Sequence, residues 1–239
     1  MKTERRIALW IGVLYIIGTV AGVLSVVSAG SPLLSADDYL TEIADNENQM
    51  VLGALFVLIM GVSLALIPAI AYPVLKQHNE ILAVGYVIFR GALETLTYVV
   101  TVLIWLVLVP ISQEYVKAAD GSSYEALGDM LIYVSKNAAT MTALIFPIGA
   151  LMLYAIFYQS KLTPRWVSMW GIIAVSLYIP AALLDMFDVV TQEDSTFTLM
   201  MMPMFLQEMV MAVWLIVKGF NRSSAEPAKV PNAEMSPAR

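Results

Sequence analysis

Residues Met50–Leu75, MVLGALFVLIMGVSLALIPAIAYPVL, form an apolar stretch without a single charged side chain. A helix needs roughly 20 consecutive apolar residues to cross the hydrocarbon core of a bilayer. This stretch is long enough, so it predicts a membrane-spanning helix.

Five further stretches of similar length and character lie on either side of it. The six predicted segments, numbered in chain order, are Ile7–Ala29, Met50–Leu75, Ile81–Ile111, Asn137–Tyr158, Trp166–Met186 and Leu199–Val217. Segment 3 is long enough to tilt or to continue beyond the bilayer. The pattern predicts an all-α fold: a polytopic membrane helix bundle of six transmembrane helices, in one domain over residues 1–222.

The composition agrees with a lipid environment. The chain has 239 residues, of which 59% are hydrophobic and only 13% charged, and its mean hydropathy is +0.77. Soluble domains carry about 25% charged residues. There is no cysteine and one histidine, which excludes disulfides, zinc–thiolate sites and cysteine nucleophiles. The net charge of −6, with no basic stripe, argues against a nucleic-acid partner.

Basic residues are concentrated on one side of the predicted bundle. The N-terminus, loops 2 and 4 and the C-terminal tail contain Lys2, Arg5, Arg6, Lys76, Lys161, Arg165, Lys218, Arg222, Lys229 and Arg239. Loops 1, 3 and 5 contain only Lys117 and Lys136. By the positive-inside rule, we expect a multi-pass protein of the cell membrane with both termini in the cytoplasm.

The two ends of the chain carry further expectations. Segment 1 has the basic start and small-residue end of a signal peptide, but it exceeds the usual h-region of roughly 7–15 residues. We therefore expect a retained anchor helix, with cleavage as the alternative. Residues 223–239 contain three prolines and few apolar side chains, which predicts a disordered cytoplasmic tail.

Two loop segments have the pattern of short surface helices. Ser35-Ala36-Asp37-Asp38 resembles a helix cap ahead of Leu40 and Ile43, and Tyr124–Tyr133 follows a Gly-Ser-Ser turn. Both could rest on the outer interface with their apolar faces towards lipid. Ordered loops are the alternative.

Several patches resemble one bacterial membrane family, catalogued as domain of unknown function 4386. The similarity lies in Tyr72–Glu80, Gly85-Tyr86, Phe89-Arg90, Glu94, Tyr158-Gln159-Ser160, Pro164-Arg165, Glu208, Trp214-Leu215 and Lys218-Gly219, in that order along about residues 5–222. The resemblance implies a six-helix membrane protein. It implies no activity.

Three ionisable residues, Arg90, Glu94 and Glu208, lie deep within predicted segments. A charge at the bilayer centre costs roughly 2.5–3.5 kcal/mol on insertion scales, so such residues normally face the bundle interior and have partners. At ~1.5 Å per residue, Arg90 lies about 14 Å and Glu208 about 15 Å from the cytoplasmic ends of their segments. Glu94 is one turn from Arg90 on the same face. We therefore predict a buried Arg90–Glu208 pair between segments 3 and 6, with Glu94 beside it.

This cluster has two interpretations. Two carboxylates beside one arginine leave a net negative charge, so one carboxyl is expected to hold a proton, as in a proton-coupled site. Alternatively, the pair is a charge clamp that joins two helices and has no transport role.

Other residues suggest a site less strongly. The methionines of segment 6, such as Met200 and Met204, are soft-metal ligands, but packing explains them better because no Cys or His supports them. Asp185 and Asp188 could bind a cation, but a solvated acidic rim explains them better.

Gly18-x-x-x-Gly22 permits close helix contact, within the bundle rather than at a dimer seam. We expect no metal and no cofactor.

Two classes of function follow. The first is a non-enzymatic carrier, accessory or sensor module that works through Arg90, Glu94 and Glu208 in contact with the lipid bilayer, with a small solute or a proton as partner. The second is an intramembrane enzyme that acts on a lipid-like substrate, with Glu94 or Glu208 as acid–base. The lack of a nucleophile–base motif or metal-ligand set favours the first class and predicts no catalytic residue. The sequence does not indicate an oligomeric state.

Overall fold

A computed structural model describes residues 2–30, 32–192 and 194–221. The predicted tail at 223–239 lies outside these ranges. Every regular element in them is helical: α1 (Lys2–Ser25), α2 (Tyr39–Asp45), α3 (Glu47–Leu75), α4 (Glu80–Tyr86), α5 (Glu94–Tyr115), α6 (Ser122–Ser160), α7 (Arg165–Met186) and α8 (Ser195–Val217). A π-helical turn, Val26–Gly30, follows α1, and another, Val87–Leu93, joins α4 to α5.

Six helical stretches in the described ranges are long and apolar enough to cross a membrane. They are α1 with its π-helical turn, α3, the continuous stretch Glu80–Tyr115, α6, α7 and α8. This confirms the prediction of an all-α, polytopic bundle of six membrane-spanning helices.

The fourth membrane-spanning helix is much longer than predicted. α6 has 39 residues, and at ~1.5 Å per residue it measures about 58 Å, almost twice the ~30 Å hydrocarbon core. The segment Tyr124–Tyr133, predicted as a separate surface helix, is part of its first turns. Lys136 and Asn137 lower the hydropathy at this point, but a helix that extends beyond the apolar layer can carry polar residues without a break.

The other predicted surface helix is present as α2, with a different cap. The carboxylate of Asp38, rather than Ser35, accepts a hydrogen bond from the backbone N–H of Thr41 at 3.3 Å. Leu40 and Ile43 are buried, so α2 turns its apolar face into the protein.

The six membrane-spanning helices form a closed ring. Each packs against the next along the chain, and α1 packs against both α3 and α8. The guanidinium of Arg5, at the start of α1, closes the ring by donating to the backbone carbonyls of Leu215 at 3.0 Å and of Ile216 at 2.5 Å. We call the end of the bundle where α1 begins and α8 ends the terminal end, and the opposite end the acidic end.

Glycines in α1 allow close packing within this ring. A Cβ atom on Gly18 would lie 3.1 Å from Leu64, and one on Gly22 would lie 2.8 Å from the sulfur of Met60. Both partners are on α3, so the Gly18-x-x-x-Gly22 pair serves the α1–α3 contact inside the bundle.

Asn79 caps α4, the helix that leads into the π-helical turn. Its side-chain oxygen accepts a hydrogen bond from the backbone N–H of Leu82 at 3.0 Å. We expect Asn79→Ala to lower the free energy of unfolding by about 1 kcal/mol, because one N–H at the helix start loses its partner. Thermal unfolding in detergent would measure this. Asn79→Ser retains a capping oxygen and serves as the control, and equal stability of the two variants would contradict the prediction.

Candidate functional site: a buried arginine–glutamate cluster

The backbone around Arg90 is irregular and tightly packed. Arg90 lies in the π-helical turn Val87–Leu93, and such turns occur frequently at functional sites. On one side is Gly149 of α6, where a Cβ atom would lie 3.2 Å from the Arg90 nitrogen. On the other, a Cβ atom on Gly91 would lie 3.2 Å from Pro68 of α3. The two glycines therefore let α3 and α6 close on the turn that carries Arg90.

The structure brings the three ionisable residues together. The Nη1 atom of Arg90 donates to both carboxylate oxygens of Glu94, at 3.0 and 3.1 Å. Its Nη2 atom donates to Oε1 of Glu208 at 3.3 Å. The Arg90 side chain is only 3% exposed, so one guanidinium binds two carboxylates in the protein interior.

Two aromatic rings cover the guanidinium. Its Cζ atom lies 4.6 Å from the ring centroid of Phe146 and 5.8 Å from that of Tyr15, which is within cation–π range. The Nε atom of Arg90 is buried and has no hydrogen-bond partner among the described residues. Sequence reasoning missed both rings, because aromatic residues are ordinary in membrane helices and nothing local marks these two.

Arg90 and Glu208 meet across the centre of the ring. α8 packs between α7 and α1, and the Glu80–Tyr115 stretch packs between α3 and α6. The two helices that carry Arg90 and Glu208 therefore do not pack directly against each other. The predicted contact between segments 3 and 6 is made by the two side chains, which meet inside the ring. The length of the arginine side chain makes this possible. With Tyr15 on α1 and Phe146 on α6, the cluster connects four of the six membrane-spanning helices.

The two carboxylates are held differently. Glu94 is 1% exposed and also accepts a hydrogen bond from the hydroxyl of Tyr98 at 3.0 Å. Glu208 is 16% exposed, and its bond to Arg90 is longer than either bond to Glu94. Glu94 is thus fixed in place, whereas Glu208 is the more loosely bound and more accessible carboxylate.

Gln207, the residue before Glu208 in the sequence, connects α8 to two neighbouring helices by hydrogen bonds. It is fully buried, accepts a hydrogen bond from the Tyr154 hydroxyl at 2.7 Å and donates to the Val167 carbonyl at 3.1 Å. These bonds join α8 to α6 and α7. Sequence reasoning missed Gln207, although a lone amide inside an apolar segment is a signal that could have identified it.

Asp185 was wrongly placed in a solvated acidic rim. It is only 8% exposed, and its Oδ2 atom accepts hydrogen bonds from the Thr140 hydroxyl at 2.7 Å and from the Gln192 amide at 2.9 Å. Asp188 is exposed, as expected. The difference arises because α7 continues to Met186, so Asp185 still belongs to a helical turn that faces α6.

The methionines of α8 contribute to packing. Met204 and Met211 are buried in the apolar core of the terminal end. No group of three or more His, Asp or Glu side chains in the described ranges is arranged to hold a metal ion.

A ring of six apolar helices around a buried charge cluster defines a polytopic integral membrane protein. The family model of a domain of unknown function, DUF4386, matches residues 10–219, and the chain belongs to this family. No curated protein and no solved structure matches the chain. The family description assigns no function, so function has to be argued from the cluster.

Proposed function

We propose that this protein is a non-enzymatic, proton-responsive membrane module, working as a carrier, accessory or sensor, in which Glu208 takes up and releases a proton. The observation that supports this most is the presence of two carboxylates around one buried guanidinium. The proposal further places the protein in the cell membrane with both termini in the cytoplasm, on the distribution of its basic residues.

The charge balance of the cluster requires one further positive charge. With Glu94 and Glu208 both ionised, Arg90 neutralises only one of them, and a single negative charge remains in a dry interior. One proton on either carboxylate removes that charge. A purely architectural clamp between two helices would need a single carboxylate, so the second one favours a site that binds a proton.

The geometry supports Glu208, rather than Glu94, as the carboxylate that would take up the proton. A protonated Glu208 loses its charge-assisted bond to Arg90, and the guanidinium remains neutralised by Glu94. Among the described residues, the Arg90–Glu208 bond is the one ion pair that joins α8 to the π-helical turn. Protonation of Glu208 therefore weakens a contact across the ring, which is how a bound proton would alter the packing of α8.

An intramembrane enzyme for a lipid-like substrate has less support. A general acid or base must come within hydrogen-bond reach of its substrate. Glu94 is 1% exposed and is fixed by Arg90 and Tyr98, so a lipid cannot approach it in this arrangement. Glu208 alone would then have to serve as both acid and base.

Infrared spectroscopy of the protein in lipid nanodiscs tests the proposal. We expect the carbonyl stretch of a protonated carboxyl group to grow as the pH falls, and Glu208→Gln to remove it, because the amide cannot titrate. Glu94→Gln should suppress the band as well, because Glu208 is then the single carboxylate beside Arg90 and stays ionised as its partner. Glu114→Gln is the control, since Glu114 is 55% exposed and pairs with Lys117.

Two results would overturn the proposal, each measured over the pH range in which the protein stays folded. The first is a wild-type spectrum without a titrating carboxyl band. The second is a titrating band that persists unchanged in Glu208→Gln.

A further inference from the structure

The outer face of α8 carries an apolar groove near the terminal end. Its lining residues are Met209, Val210, Val213, Trp214, Val217 and Lys218. The groove has a volume of about 420 Å³, which is ordinary for a site that holds a small molecule. Val213 and Val217 are 54% and 63% exposed, so the groove opens away from the ring and towards lipid.

The groove has the depth of one leaflet of a bilayer. Met209 and Lys218 are nine residues apart, about 14 Å at ~1.5 Å per residue. Half of the ~30 Å hydrocarbon core is about 15 Å. Met209 directly follows Glu208 of the buried cluster, and Lys218 is the first residue beyond α8. An acyl chain of a lipid in one leaflet could therefore lie along the whole groove.

Tryptophan side chains border the groove at its terminal end. Trp166 of α7 packs edge-on against Trp214, with ring centroids 6.5 Å apart, and Trp170 stacks on Trp166 at 6.4 Å. Trp166 is exposed. Because tryptophan is enriched where the hydrocarbon core meets the lipid headgroups, this aromatic group marks the headgroup level of the groove.

Basic side chains lie at the same level. Lys218 is exposed at the end of the groove, and the exposed Arg165 directly precedes Trp166. The chain after α8 stays at this corner, because the backbone N–H of Asn221 donates to the carbonyl of Leu162 at 2.8 Å. Neither Lys218 nor Arg165 forms an ion pair within the described part of the chain. Their positive charges are thus available to an anionic headgroup.

We infer that this groove binds one anionic phospholipid from the leaflet at the terminal end. An acyl chain lies along Val213 and Val217, and Lys218 and Arg165 bind the phosphate. A zwitterionic phospholipid brings the same chain and phosphate, but its headgroup adds a positive charge beside the two basic side chains, so it should bind less tightly. The inference goes beyond the proton site and does not depend on it.

Thermal unfolding of the full-length protein in detergent tests the site. Phosphatidylglycerol and phosphatidylcholine with identical acyl chains are added in separate titrations. A ligand that binds only the folded state stabilises it, so we expect phosphatidylglycerol to raise the unfolding temperature at a lower concentration than phosphatidylcholine does. Lys218→Gln and Arg165→Gln should each weaken the binding of phosphatidylglycerol about fivefold, the usual effect of one basic side chain near anionic lipid.

Lys76→Gln is the matched control. Lys76 is an exposed lysine that follows α3 at the same end of the bundle, where α1 lies between α3 and α8. The substitution makes the same charge change away from the groove and should leave lipid binding unaltered. Val213→Trp fills the groove and leaves both cations in place, so it should also weaken the binding of phosphatidylglycerol.

Four results would overturn the inference. In the first, the two lipids stabilise the wild type at equal concentrations, so the groove has no headgroup preference. In the second, Lys218→Gln binds phosphatidylglycerol as tightly as Lys76→Gln does. In the third, inorganic phosphate alone stabilises the wild type but not Lys218→Gln, so the ligand is a free anion. In the fourth, native mass spectrometry shows a wild-type dimer that Val213→Trp dissociates, so a second copy covers the groove.

Discussion

Arg90→Gln is expected to lower the free energy of unfolding by about 3–5 kcal/mol, the usual cost of removing one partner from a buried ion pair. The variant leaves Glu94 and Glu208 in the protein interior without their cation. The measurement is unfolding in detergent, together with the yield of membrane-inserted protein.

Companion variants separate charge from packing in this experiment. The triple variant Arg90→Gln, Glu94→Gln, Glu208→Gln removes all three charges and should recover most of the lost stability, because no unpaired charge remains. The exchange of Arg90→Glu with Glu208→Arg tests the pair itself. If the single changes in that exchange were both harmless to insertion and yield, Arg90 and Glu208 would not be paired.

Gly12→Ala is expected to separate α1 from α8. A Cβ atom on Gly12 would lie 2.5 Å from the carbonyl oxygen of Ala212 and 2.7 Å from the side chain of Ile216. The first of these is a backbone atom and cannot rotate away, so the helices must move apart, at an expected cost of about 1–3 kcal/mol. Thermal unfolding in detergent measures the loss.

Gly18→Ala is the matched control for this variant. It adds the same methyl group to the same helix, but its nearest neighbour, at 3.1 Å, is the flexible side chain of Leu64. The loss of stability should therefore be smaller. A control that is as unstable as Gly12→Ala would show that the α1–α8 seam is not the critical contact.

Hydropathy predicted the membrane-spanning helices well and their ends less well. The Met50–Leu75 stretch ends where α3 ends, because Lys76 is both the first charged residue after it and the first residue beyond the helix. In contrast, α6 begins fifteen residues before Asn137, since hydropathy detects contact with lipid and not helical continuity in water. The tightest glycine contact to a backbone atom, at Gly12, lies outside the recognisable Gly18-x-x-x-Gly22 pattern and could not be found from spacing.

The cluster was predictable only in its charged members. Arg90, Glu94 and Glu208 stand out because a charge in an apolar segment needs an explanation. Tyr15 and Phe146 do not stand out, since their roles depend on how the ring closes. The burial of Asp185 was mispredicted for a related reason. A carboxylate near a helix end is usually exposed to solvent, but the side chain of Asp185 turns towards Thr140 and is buried.

The closure of the ring by α8 bears on how the protein is made. The chain emerges from the ribosome with its N-terminus first, so Arg90 enters the bilayer long before Glu208 is synthesised. Glu94, one turn away on the same continuous helix, gives Arg90 a counter-charge during this interval, and the growing chain can insert as a neutral hairpin with α3. Glu208 arrives later, with α8, and adds its charge to a pocket in which Arg90 and Glu94 already balance each other. The local ion pair thus gives Arg90 a counter-charge before α8 is made, and the surplus negative charge on which the proposed function rests arises only once Glu208 is in place.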